Sequence, residues 1–252
     1  YLQLNTVLLG FLKNALAVGY FAAATKVMQM LLQMSACLGS VMMPRASHLI
    51  AEDKESEFNA LIQKSYDFTL AIALPMTVGL ICCAPNLITS LCGVKFENSI
   101  LPSQIIAPII LMVAISNVFG IQVLFPKGKI NIVTLCCGIG AVVDLVLNLC
   151  LIPFFSYVGT SIAYLGAEVA TTISMFFIGR KYLPITYFKK NHLNYLLGCI
   201  LMAIVLYAIA DLQFSTISIL ILQGCSGIVV YFLVLCVRKD IFWMQVLSKI
   251  KK

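Results

Sequence analysis

Seven unbroken apolar runs dominate this chain, at about 18–43, 66–91, 101–125, 130–152, 157–178, 193–210 and 214–236. Each is near or above the ~20 residues that a helix needs to cross a bilayer core. An eighth run, at 1–12, is too short to span. The runs do not alternate apolar and polar residues as membrane barrel strands do. Helices are then the remaining way to satisfy every backbone hydrogen bond in lipid. Composition agrees: 61% of the residues are hydrophobic and only 11% charged. A water-facing domain carries about a quarter charged. The expectation is an all-α, polytopic transmembrane helix bundle. The chain opens on Tyr1 inside an apolar run, which reads as a helix entered partway along its length.

The basic residues set the orientation. Of the 17 lysines and arginines, fourteen fall in the gaps at 44–65, 126–129 and 179–192 and in the tail, while only Lys13 and Lys95 fall in the intervening gaps. Lysine and arginine accumulate on the cytoplasmic side of membrane proteins. That places these gaps and the C-terminus inside, and the loops at 13–17, 92–100, 153–156 and 211–213 outside. The net charge of +7 is thus a membrane address, not a nucleic-acid footprint. Within 44–65, Phe58, Leu61 and Ile62 share one helical face, the pattern of a short amphipathic helix lying along the interface. The tail FWMQVLSKIKK pairs a Trp with lysines, as an interfacial anchor would. Pro75, Pro108 and Pro85 fall within apolar runs, where proline removes a donor and favours a kink. The ten cysteines form no CxxC and read as small apolar fillers, with no metal site and no cofactor indicated.

Three charges lie well inside the runs: Lys26, Asp144 and Glu168. Each costs at least ~2.5 kcal/mol at the bilayer centre and must face protein or a water-filled cavity. Asn148, four residues after Asp144, shares its helical face. Two readings stand side by side. In one, the charges pair with one another and fix helix packing. In the other, Lys26 meets an anionic substrate in an aqueous cavity, while Asp144, Asn148 and Glu168 remain structural. A compact ammonium suits a phosphate. Asp67 reads as interfacial, and His48 and His192 as loop residues without a role.

Four stretches carry a family resemblance: VGYFAAATKV (18–27), MMPRAS (42–47), SNVFGIQVLFPKGK (116–129) and GAVVDLVLNLCLIPFFSYVGTSIAYLGAE (140–168). Together and in this order they resemble the Wzx-type polysaccharide repeat-unit flippases of the multidrug/oligosaccharidyl-lipid/polysaccharide exporter superfamily. The resemblance covers about residues 5–180. It implies the second lobe of a two-lobed flippase fold: a six-helix C-terminal lobe at 1–180 with its first helix truncated, then two additional helices and a basic tail at 181–252. It also implies the function, which is moving an undecaprenyl-pyrophosphate-linked oligosaccharide across the cytoplasmic membrane by alternating access. The implied partners are that lipid-linked oligosaccharide, membrane lipids, the N-terminal lobe of the same protein and the polysaccharide polymerase machinery. By the same resemblance Lys26 and Arg45 are the substrate-binding candidates. Asn5 departs from an Asp common at that place in the family, which puts ion coupling through this position in doubt.

A cation-coupled drug exporter or a lipid II flippase of the same superfamily is the alternative. A membrane-embedded polymerase or acyltransferase fits less well. Its outward loops would carry His, Arg or carboxylates, and no GxSxG, HExxH or phosphate-cradling glycine loop is present. No residue is assigned a catalytic role.

Overall fold

A computed structural model describes residues 2–187, 189–210 and 216–238, with the side chains of residues 2, 35–41 and 190 left out. The Trp243 and lysine tail and the loop at 211–213 lie outside the described residues. Helices account for the described chain, and no strand occurs among these residues. They are α1 (Leu2–Leu12), α2 (Ala15–Ala51), α3 (Glu55–Cys92), α4 (Ile100–Ile106), α5 (Ile109–Asn117), α6 (Ile130–Gly179), α7 (Lys190–Ala210) and α8 (Thr216–Val237). Five helical segments are long and apolar enough to cross a membrane, and α4 with α5 forms a sixth that is bent by 42°. Pro108 stands at that bend, where it cannot donate the missing backbone bond. By contrast α3 runs unbroken through Pro75 and Pro85, and α2 through Pro44.

The long α6 is two antiparallel arms. Ser156 leaves helical geometry at φ 51°, ψ −129°. Gly140 faces Thr171, Leu147 faces Gly166 and Leu151 faces Gly159, a register that converges on the Ser156 break. Each arm exceeds the ~20 residues of a span. The sequence expectation of seven spans and a short first helix therefore holds.

The amphipathic helix expected along the interface is absent. Residues 44–65 instead form the end of α2, a turn at 52–54 and the start of α3. At ~1.5 Å per residue, helices of 37 and 38 residues exceed the ~30 Å hydrocarbon thickness and project past it. Phe58, Leu61 and Ile62 do share a face, but all three are buried within a protein core cluster that also holds Ala46, Leu49, Val123, Met175 and Ile185, rather than lying against lipid. In the turn, Asp53 adopts a positive φ of 55°. Lys54 bonds Glu52 at 2.8 Å and lowers its pKa, chiefly through that hydrogen bond.

The loops divide between two ends as the charge pattern requires. At one end Lys13 donates to the Pro153 carbonyl at 2.9 Å, and Tyr20 packs edge-on against Phe96 and Tyr157. At the other end Lys127 meets Glu55, Phe58 and the Tyr182 carbonyl. The helix α3 lies between the remaining elements, with buried residues around most of its circumference. Helices α7 and α8 share its core cluster through Tyr195, Cys199, Met202, Leu206 and Tyr231.

Glycine notches set the helix spacing. A Cβ at Gly140 would collide with Thr171 Oγ1 and sit 3.1 Å from the Ala167 carbonyl, whereas one at Gly138 meets nothing within 4 Å. Gly140→Ala should lower unfolding stability in detergent by about 1–3 kcal/mol, and Gly138→Ala should leave it unchanged. Thermal unfolding of the two variants measures this difference.

Candidate functional site

The intramembrane polar residues separate into two places. Asp144 and Asn148, one turn apart on the first arm of α6, meet Asn5 of α1, and all three are fully buried. Asn148 Nδ2 donates to Asn5 Oδ1 and to its own helix at the Asp144 carbonyl, 2.8 Å away. Among the described residues, no donor reaches the carboxylate oxygens of Asp144 in good hydrogen-bond geometry, although the side-chain amides of Asn5 and Asn148 face it, and Asn148 Oδ1 and Asn5 Nδ2 lack partners of good geometry. Burying such groups costs free energy unless something satisfies them. By the hairpin register Glu168 lies across from about position 143, so it shares Asp144's depth. It is 6% exposed, and its carbonyl accepts from Thr172, whose hydroxyl also reaches the Met112 carbonyl of α5.

Lys26 is elsewhere. It sits eleven residues into α2, ~17 Å from that helix's start. Its neighbours Phe21, Ala24, Val27 and Met28 face the core. Lys26 is exposed, on a stripe with Met30 and Gln33 at helical spacing that no other element covers. None of the ion pairs among the described residues includes it. The reading in which Lys26 pairs with Asp144 or Glu168 is therefore corrected: they are in different places, one open and one sealed. Arg45 is also exposed on α2, but nineteen residues and ~29 Å further along. One phosphate cannot touch both.

Sequence reasoning missed a third constellation. His192, taken as a loop residue without a role, is 8% exposed. Its Nε2 lies 3.1 Å from Asp67 Oδ1, while Lys189 Nζ is 2.8 Å from Asp67 Oδ2. Gln63 also donates to Asp67 and pairs with the backbone of Thr186. These contacts fasten the segment before α7 to α3. The one signal available beforehand was that Asp67 and the 179–192 loop fall at the same end of the bundle. A separation of 125 residues leaves no local pattern.

Comparison with known proteins bears on this geometry. Residues 1–101 match the family described as "Polysaccharide biosynthesis protein". Over 176 residues the chain is 25% identical to the "Putative O-antigen transporter" of Escherichia coli (strain K12), covering 68% of this chain and 41% of that protein. The fold matches the solved structure "Lipid II flippase MurJ, inward closed conformation" with a TM-score of 0.80, 17% identity, and coverage of 98% of this chain and 52% of that one. These likenesses are to a polysaccharide biosynthesis family over the first 101 residues, to a protein named an O-antigen transporter, and in fold to a solved flippase structure. The chain is a multi-pass membrane protein that shares the fold of that solved structure, and it spans about half the length, or less, of these relatives. Asn5, Lys26 and Arg45 all fall within the matched 1–101, whereas Asp144, Asn148 and Glu168 lie beyond it.

If the Asn5–Asp144–Asn148 cluster ties α1 to α6, Asp144→Ala should lower stability in detergent by about 1–3 kcal/mol, with Asp144→Asn closer to wild type. Loss of transport at unchanged stability and abundance would instead assign Asp144 a part in the transport cycle.

Proposed function

We propose that this chain is the C-terminal part of a transporter that flips undecaprenyl-pyrophosphate-linked oligosaccharide repeat units across the bacterial cytoplasmic membrane, for surface polysaccharide biosynthesis. Residues 1–180 form its lobe, and 181–252 add two helices and a cytoplasmic tail. One observation carries the reading. Lys26 is a cation at mid-membrane depth on an uncovered stripe of α2, with no ion-pair partner among the described residues. Lipid tails cannot accommodate such a charge at that depth. The stripe is therefore assigned to an aqueous cavity that the N-terminal lobe completes, where an ammonium binds the pyrophosphate or an acidic sugar. Arg45, at the far end of the same helix, serves a gate or a second contact.

The reaction is a translocation and needs no catalytic residue. Alternating access moves the bound headgroup past the bilayer centre, and Lys26 offsets part of the cost of holding a polyanion there. Likeness in sequence to an O-antigen transporter supports a repeat-unit substrate. Likeness in fold to a lipid II flippase favours lipid II as the second reading. Complementation of strains lacking one or the other flippase separates the two.

In the full-length protein, Lys26→Ala should cut surface polysaccharide more than about tenfold while leaving protein in the membrane, with Lys26→Arg milder. Unchanged polysaccharide in Lys26→Ala would remove the substrate-contact role. Cysteine labelling in the 179–192 loop should succeed only from the cytoplasmic side, and labelling from outside would reverse the orientation.

A further inference from the structure

Two prolines stand inside α3, and neither breaks it. A proline within a helix leaves the carbonyl four residues back without its usual backbone donor. For Pro75 that carbonyl belongs to Ala71, and for Pro85 it belongs to Ile81. Inside a membrane no water is at hand to satisfy either one. Both are met by side chains from other helices. The Tyr231 hydroxyl of α8 donates to the Ala71 carbonyl at 2.7 Å, and the Gln104 amide of α4 donates to the Ile81 carbonyl at 3.1 Å.

Prolines without such a donor stand at breaks. Pro108 lies at the 42° bend between α4 and α5, and Pro153 is three residues ahead of the Ser156 break in α6. The carbonyls these two vacate are those of Gln104 and Leu149. Among the described residues, no side chain of another helix donates to either. The same residue type thus leaves α3 continuous where a neighbour supplies a donor, and adjoins a break where none does.

The two donors come from different elements and act at different depths. Ile81 is ten residues, ~15 Å, along α3 from Ala71. Tyr231 is 4% exposed, and a Cβ at Gly198 of α7 would come within 2.9 Å of its ring, so the bare glycine leaves the ring its seat. Gln104 lies in the short α4, just ahead of the bend at Pro108.

We propose that α3 carries two latched hinges. Tyr231 and Gln104 stand in for the backbone donors that Pro75 and Pro85 lack, and withdrawal of either side chain frees α3 to bend at that proline. A neighbouring helix cannot withdraw a bond between two backbone groups of α3. A side-chain bond is lost once its helix shifts by about 1 Å. The straightness of the central helix then depends on where α8 and α4 sit. The device requires no assignment of substrate and is separate from Lys26.

The test is hydrogen–deuterium exchange of the full-length protein in detergent, read by mass spectrometry. Tyr231→Phe removes only the hydroxyl, and Gln104→Leu removes the amide at similar volume. Pro75→Ala and Pro85→Ala restore the backbone donors. Tyr231→Phe should speed exchange of the α3 amides flanking Pro75 about fivefold and leave those flanking Pro85 near wild type. Gln104→Leu should do the reverse. Combined with Pro75→Ala or Pro85→Ala respectively, each variant should exchange no faster than the proline variant alone, because the latch then has nothing to replace. A Tyr231→Phe or Gln104→Leu protein that does not accumulate should be rescued by the matching proline replacement. Unchanged exchange in the single variants overturns the proposal, as does a rise spread evenly along α3. An equal rise with and without the proline, or a loss of protein that the proline replacement does not repair, reduces the bonds to ordinary interhelical ties and overturns it as well.

Discussion

Hydrocarbon offers no hydrogen-bond partner, so each polar group in this bundle must find one inside it or mark a place where lipid is absent. Most find one, and those bonds are the cross-links of the fold. Ser65 of α3 donates to Gln122 at 2.6 Å. The Tyr231 hydroxyl of α8 reaches the Ala71 carbonyl of α3 at 2.7 Å. Asn86 donates to Gln223, and Gln223 in turn to the Leu206 carbonyl, joining α3, α8 and α7 in one chain. Most of these contacts involve α3, the helix buried on the most sides. Thr25, Ser103 and Thr171 dispose of their hydroxyls on carbonyls one turn back along the chain, which lets small polar residues sit at close contacts without a second partner.

Among the exceptions to that rule, two involve a charged side chain within the apolar runs. The Asn5, Asp144 and Asn148 cluster is sealed and under-satisfied, with a carboxylate at its centre. Lys26 is open and uncovered. Both lie ~17 Å from the end of the bundle where Lys13 meets Pro153, yet they belong to different surfaces of the same fold. A sealed polar cluster can answer to small ions or hold helices together. An open cation answers to something that enters from a cavity. Under the proposed transport function, two polar devices at one depth would let the lobe bind its cargo separately from whatever sets its conformation.

Much of this was legible in the residues. The length of the apolar runs dictated helices, and the uneven lysines and arginines sorted the loops to two ends that the bundle does keep apart. The polar residues within the runs were identifiable one by one, because each carries a cost that lipid does not return. What failed did so where a local pattern had two physical solutions. Phe58, Leu61 and Ile62 mark a helix with one apolar face, but protein and lipid cover such a face equally well, and here protein does. Pro75 and Pro85 looked like Pro108 in sequence, but only Pro108 falls at a break.

The sequence by itself determined the apolar surroundings, the helices and the set of groups that cannot face lipid, because those follow from transfer free energies summed along a chain. The tertiary structure alone decided who meets whom. It kept Lys26 apart from Asp144 and Glu168, brought Asn5 to Asn148 across 143 residues and His192 to Asp67 across 125, and set Tyr231 on the carbonyl that Pro75 vacates. Such meetings depend on helix rotation and spacing. Those are fixed by contacts as small as Gly140 against Thr171, between residues that share no local pattern.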